Sequence, residues 1–420
     1  LITVVIKKEI QENLYSYKFM VITLLSVVLV LASFFVMHRD YAGRVEEYRL
    51  LKAEARGETA GTPPAPLSVF ARGLDQTLSQ QYRLLYGGDI IPGGNKESYN
   101  ELFLMFPTPD PLYVVKVILA FCTILFSFNA VTGEKEAGTL RLSLSNGIRR
   151  ADFLVGKWIG GFSCFILPFL VSLLLALFLL SFSPSIDLDF ASWIRIGFFS
   201  LSSITYLAFF FSLGLLVSCL TQRASTALAV SLFLWVLLVF VAPNTGGILA
   251  AQLEPSPSLQ QLDVKRTQIV FSGIVGTFEE ANKERPEEDK MSLTVDMTKE
   301  KLAVDYANSL ARQADMTRVL VGWSPPAAYT FLATDLAGTG LVEEKRFKQA
   351  VMQYSSLLLT LPRLQGGQGL RDPAPPFNYE RTPLRDVLVS GGLVNLVVLL
   401  LESLLVFAGA ALAFLRYDLR

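Results

Sequence analysis

A single histidine and three cysteines are all that 420 residues provide, and that scarcity removes several chemistries at once. No Ser/His/Asp or Cys/His catalytic set can be assembled around His38 at a recognisable spacing. Cys122, Cys164 and Cys219 each fall inside or at the end of an apolar run, so neither a disulfide framework nor a thiolate metal site follows. A phosphate-cradling G-x-x-x-x-G-K-S/T loop is missing too: Gly156-Lys157 is followed by Trp158. Charge is sparse at 18% and balanced, with 37 basic against 37 acidic side chains. The basic residues are interleaved with acids, which argues against a nucleic-acid surface.

What is abundant is apolar. Hydrophobic residues make up 52% of the chain and the mean hydropathy is +0.44, an excess that a soluble core of this size could not use. Charge-poor runs at 19–37, 112–133, 158–182, 193–220, 224–243 and 387–415 each approach or exceed the roughly 20 residues a helix needs to cross a bilayer. The runs are continuously apolar instead of alternating, which points to helices and not barrel strands. The expected fold class is an all-α membrane protein with six transmembrane helices and two mainly helical extracytoplasmic insertions, at 38–111 and 254–385.

Charge placement orients the spans. Lys7, Lys8 and Lys18 precede or open the first run; Lys135, Arg141, Arg149, Arg150 and Lys157 stand between the second and third; Arg223 joins the fourth and fifth; Arg416 and Arg420 follow the sixth. The loop after the third run carries Asp187 and Asp189 with no base before Arg195. The positive-inside rule then places both termini in the cytoplasm and the two long segments outside, where length exempts them from the count. The first run is too long for a signal-peptide core, and Met37-His38-Arg39-Asp40 offers no small-residue cleavage site.

Within 1–18, Ile2, Ile6, Ile10 and Leu14 recur every fourth residue, with Lys7, Lys8, Glu9, Gln11 and Glu12 between them. That pattern fits an amphipathic helix along the cytoplasmic face, or a helical continuation of the first span. In the outer segments, 57–66 breaks a charged helical stretch, 86–95 is rich in glycine, and 361–383 has the Gly and Pro content of a linker. A helix is expected over 299–321, stopped by Gly322-Trp323-Ser324-Pro325-Pro326.

The segment 134–157 is the place where sequence bears on mechanism. Leu140, Leu144 and Ile148 stand at i, i+4 and i+8, on one face of a helix whose other face carries Glu134, Glu136 and Arg141. A short amphipathic helix joined to two spans suits transmission of a push from a cytosolic partner; an ordinary solvated loop helix has the same pattern. Gly138 would allow close approach of a partner, at about 1 kcal/mol of helix stability.

The run Glu134-Lys135-Glu136-Ala137-Gly138-Thr139-Leu140, followed by Leu144-Ser145, Arg150-Ala151-Asp152 and Gly156-Lys157, resembles the signature of ABC-2 type transporter permeases after their second span. It departs from that family at Asn146-Gly147-Ile148, where proline is frequent. The resemblance implies a coupling helix that docks on a cytosolic ATP-binding subunit, with Glu134, Lys135, Glu136, Gly138, Thr139, Leu140 and Leu144 as its coupling residues. It further implies a second permease copy or paralogue, a setting in the cell's inner (plasma) membrane, and ATP and Mg on the partner with no cofactor on this chain. The function so implied is export or extrusion of a substrate that the residues do not identify, with no catalysis by this chain alone. Ser324-Pro325-Pro326 with the run from Phe331 to Gly340 resembles an outer-loop segment of a subgroup that includes permeases linked to multicopper enzyme maturation.

Glu402, within the sixth run, is a functional candidate because an intramembrane carboxylate is expensive. It belongs either to the translocation path or to helix packing against Asn395 or Asn129. Lys116 is expected to snorkel. Met37-His38 offers thioether and imidazole to a soft metal, but one histidine and scattered methionines favour an incidental role, and no metal site is assigned. An alternative function is a membrane scaffold or mechanotransmitter that acts on an extracytoplasmic partner without moving substrate through itself. Membrane lipid is a partner in either case.

Overall fold

The computed structural model describes residues 2–54, 59–79, 82–84, 90–92, 109–145, 148–183, 186, 188–281, 288–360 and 375–417. Among them, six helices are long and apolar enough to cross a bilayer: span 1 (Tyr17–Ala53), span 2 (Pro111–Glu136), span 3 (Arg150–Ser181), span 4 (Phe190–Leu220), span 5 (Ala224–Leu253) and span 6 (Leu384–Leu415). The chain is an all-α membrane protein. A small antiparallel sheet in the first insert is the exception, with β1 (Thr59–Ala60), β2 (Tyr82–Leu84) and β3 (Ile90–Pro92) in the order β1-β2-β3. The linker at 361–374, Asp187, Asn146-Gly147 and most of the glycine-rich stretch lie outside the described residues.

Span 4 is the centre of the bundle. Of its most apolar window 83% is buried, against 28% for span 1 and 17% for spans 5 and 6. Its side chains close gaps that irregular neighbours leave open. Span 2 begins with a π-turn at Val114–Leu119, which displaces the regular hydrogen-bond ladder. The hydroxyl of fully buried Tyr206 donates to the carbonyl of Lys116 in that turn at 2.8 Å. Ser212 accepts from the Trp158 indole N–H at 2.9 Å, fixing span 3 against span 4.

Helix α1 (Ile2–Leu14) is separate from span 1. The chain turns at Tyr15-Ser16, where the Ser16 hydroxyl accepts from the Phe19 N–H at 3.2 Å as an N-cap; a continuous helix is thereby excluded. The face that α1 buries is centred on Val5 and Glu9, beside the isoleucine stripe read from the sequence, and Leu14 is exposed. Its seat is Gly156-x-x-x-Gly160 of span 3. A Cβ at Gly156 would stand 2.8 Å from Val5, and one at Gly160 would stand 2.8 Å from Glu9 Cβ. Small residues four apart let the two helices approach backbone to backbone.

After span 2 come α2 (Thr132–Glu136), the last turn of that span, and α3 (Thr139–Ser145). The second insert supplies α4 (Leu259–Ala281), α5 (Glu288–Val321), α6 (Pro325–Ala337) and α7 (Leu341–Thr360). Helix α6 starts with proline in its first turn and ends at Gly338 with φ +69°, the usual asymmetry of helix termini. It is buried against spans 4 and 6, with Tyr329 stacked on Tyr206 at 4.6 Å between ring centroids. Thr339, just beyond it, bonds the first insert through both its hydroxyl (to the Ala71 carbonyl, 2.9 Å) and its own carbonyl (from the Leu74 N–H, 2.8 Å). The motif from Ser324 to Gly340 is thus the clasp between the two inserts and the bundle.

Candidate functional site

The site lies at the end of the bundle that carries both termini, where the ends of five spans and α1 meet. Three consecutive charges organise it. Glu134 Oε1 stands 2.9 Å from Lys157 Nζ, and the same ammonium is 2.9 Å from Glu9 Oε2. Lys157 is only 4% exposed, so span 3, α1 and α2 are joined by a buried cation between two carboxylates. Half-exposed Lys8 approaches Glu134 at 4.0 Å, while Glu134 Oε2 is buried with no hydrogen-bond partner.

Lys135 turns toward span 4. Its ammonium donates to the carbonyls of Cys219 (2.6 Å), Thr221 (2.8 Å) and Ser218 (3.3 Å), and lies 4.5 Å from the centre of the Tyr417 ring. Those carbonyls are the ones a helix C-terminus leaves without partners, and a cation there also meets the negative end of the helix dipole. Glu136 does the opposite at span 5: its Oε1 accepts from the N–H of Ala224, the first residue of that helix, at 2.9 Å. A carboxylate at a helix N-terminus satisfies an orphan donor and meets the positive end of the dipole. One tripeptide therefore ties α2 to spans 3, 4 and 5.

Other helix ends are closed from across the bundle in the same way. Ser218 Oγ accepts from the N–H groups of Val131 and Thr132 at 3.0 Å each, capping α2 from span 4. Arg150 donates to the carbonyls of Leu415 (2.8 Å) and Tyr417 (2.9 Å) at the end of span 6. Lys157, Glu9, Ser218 and Arg150 are not among the coupling residues expected from the sequence. Arg150 and Lys157 carry a signal, since both fall within the ABC-2-like motif, and Lys157 is a cation placed directly at the head of an apolar run, where few side chains reach water.

The sequence predicted one helix carrying Leu140, Leu144 and Ile148 on one face and Glu134, Glu136 and Arg141 on the other. The structure corrects that picture. Gly138 has φ +71°, ends α2 and separates it from α3, while Ile148 lies beyond the helix. A Cβ at Gly138 would touch nothing within 4 Å. The glycine is therefore required by backbone conformation, and not by close approach of a neighbour in this chain. Leu140 is buried with Val131, Phe153, Leu154, Leu215 and Phe414, and Leu144 and Ile148 pack against the same cluster. Glu134 faces inward. Ala137, Gly138, Thr139, Arg141 and Leu142 are exposed, Leu142 at 67%.

Glu402, Asn395, Met37 and His38 are not brought to this site, and Asn129 adjoins it only through its carbonyl, which accepts from the Gly133 N–H at 3.0 Å. Glu402 Oε2 and Asn395 Nδ2 in span 6 are each buried without a hydrogen-bond partner, and no hydrogen bond joins either to the other or to half-buried Asn129. Met37 is fully buried in the core, and His38 Nε2 is 2.6 Å from Ser183 Oγ. Among the described residues, no three His, Cys, Asp or Glu side chains converge as metal ligands.

A family model described as ABC-2 family transporter protein matches residues 3–419. No curated protein matches the chain. A match over nearly the whole length, on a six-span helical bundle, assigns the chain to the ABC-2 transporter family as a multi-pass membrane permease subunit, of the kind that pairs with an ATP-binding subunit.

Proposed function

We propose that α2, Gly138 and α3 form the element through which an ATP-binding subunit in the cytoplasm drives this permease, and that the chain exports or extrudes its substrate as one half of a paired assembly. In this reading both termini are cytoplasmic, the membrane is the inner (plasma) membrane, and ATP and Mg²⁺ stay on the partner. The supporting observation is the division of labour along 134–142. Glu134, Lys135 and the exposed Glu136 are each bonded to a different span, whereas Ala137, Thr139, Arg141 and Leu142 are exposed on this chain's surface. A displacement applied to the exposed side is delivered to spans 3, 4 and 5 together, as a two-state element requires.

Leu142 is the apolar anchor of that exposed side. Leu142→Asp is expected to weaken co-purification of the ATP-binding subunit by at least about tenfold, as loss of a central apolar contact does. The melting temperature should stay unchanged, because the side chain is already in solvent. Undiminished recovery of the P-loop-containing subunit, identified by mass spectrometry, would count against docking at this face.

A further inference from the structure

The second insert contains a cleft remote from α2 and α3. Between α5 and α7, beside the point where span 6 enters the bundle, it encloses about 600 Å³, within the roughly 300–1,000 Å³ of small-molecule sites. Its walls are apolar where the two helices face each other, with Leu310, Ala311 and Ala314 on α5 and Val342 and Met352 on α7. At its foot is Ser390, in the turn that opens span 6, next to Val389, which is 75% exposed; Val319, 76% exposed, lines the same end. The apolar lining therefore runs on into apolar side chains at the head of a membrane span.

Among the described residues, the rim carries one cation without an ion-pair partner. Arg318 is paired with Asp335 at 2.7 Å, Lys345 with Asp315 at 2.9 Å, and Lys348 with Glu344 at 2.6 Å. Arg346 is exposed on the rim and forms no hydrogen bond or ion pair among the described residues. A planar guanidinium above an apolar trough is complementary to a phosphate joined to an acyl chain. A free phosphate would leave the trough unused, and a neutral lipid would leave the cation unmatched.

We propose that this cleft holds one anionic phospholipid drawn from the adjoining leaflet, its acyl chain between α5 and α7 and its phosphate at Arg346. The occupant lies beside a joint of the fold. Arg318 packs over Gly391, whose φ is +135°, so closely that a Cβ there would be 3.0 Å from its guanidinium. Arg318 thus connects α5 to the kink of span 6 and, through Asp335, to α6. Burial pushes the Asp335 carboxyl above the usual carboxylate range, and Arg318 partly offsets that rise. The cleft lies at the end of the bundle opposite α2 and α3.

The test is native mass spectrometry of the full-length, delipidated protein titrated with phosphatidylglycerol and, separately, with phosphatidylcholine of the same chains. Wild type should retain one phosphatidylglycerol, with phosphatidylcholine at least about tenfold weaker; Arg346→Glu should weaken phosphatidylglycerol by a similar factor, the range of one charge-assisted contact. Ala314→Trp, which fills the trough, should abolish that binding. Arg346 lies on the surface, so its variant folds whether or not the tryptophan variant does. A phosphatidylglycerol affinity unchanged by Arg346→Glu, or matched by phosphatidylcholine, would overturn the proposal.

Discussion

Lys157→Met should lower the stability of the purified protein by about 3–5 kcal/mol, the range seen when one partner of a buried ion pair is removed. Lys157 neutralises two carboxylates that have little water to turn to, Glu9 and Glu134. Half-exposed Lys8, at 4.0 Å from Glu134, is too distant and too solvated to replace it. The cause can be separated from lost packing, because methionine keeps most of the side-chain volume. Adding Glu9→Gln and Glu134→Gln to Lys157→Met removes the stranded charges and should recover most of the loss, since neutral replacement of a buried ionic cluster is often tolerated. Thermal melting in one detergent, compared across wild type, single and triple variants, reads the effect. Equal melting of wild type and Lys157→Met would show that the cation does not hold α1 and α2 to span 3.

Asp75→Ala should cost about 3 kcal/mol at the opposite end. Asp75 is fully buried. It accepts from the Ala65 N–H at 3.0 Å and pairs with Arg44 of the span 1 helix, while Arg381 stands 3.8 Å away. Arg381 in turn donates to the carbonyls of Gly338 (2.8 Å) and Pro63 (2.6 Å), so this carboxylate lies where both inserts and span 1 converge. Arg44 keeps Asp40 at 2.9 Å in the variant, which limits the loss; Arg381 and the Ala65 amide keep no such substitute for Asp75. The first insert should loosen from the second, seen as faster proteolysis within 61–79 together with a lower melting temperature. Protease resistance equal to wild type would contradict this reading of the network.

What could be read from the sequence follows from the range of the interactions involved. The six spans are legible because lipid demands about 20 apolar residues in unbroken series, a local property. The segment at 134–140 is legible as important because its charges stand between two such runs. Its geometry is not. Leu140, Leu144 and Ile148 carry the spacing of one helix, and a single positive φ at Gly138 divides it; a glycine inside a helical pattern is the cue for a C-terminal cap that periodicity alone overrides. The inward direction of Glu134 is set by Glu9 and Lys157, which local pattern cannot bring together. The side of α1 that packs on span 3 is equally hidden from local pattern: Gly156 and Gly160 admit Val5 and Glu9, with Ile2, Ile6 and Ile10 half-buried beside them.

In the proposed function, the exposed side of α2 and α3 passes its movement to the spans through the three charged contacts. Hydrogen exchange of the permease with its ATP-binding subunit, compared without nucleotide and in an ATP-trapped state, addresses it directly. Protection should change together in 132–145 and 221–226, because Glu136 bonds the first N–H of span 5 and Lys135 the last carbonyls of span 4. In Glu136→Ala the change at 132–145 should persist and the change at 224–226 should fall away. A response at 224–226 that survives Glu136→Ala, or no ATP-dependent change at 132–145 in the wild type, would contradict the account.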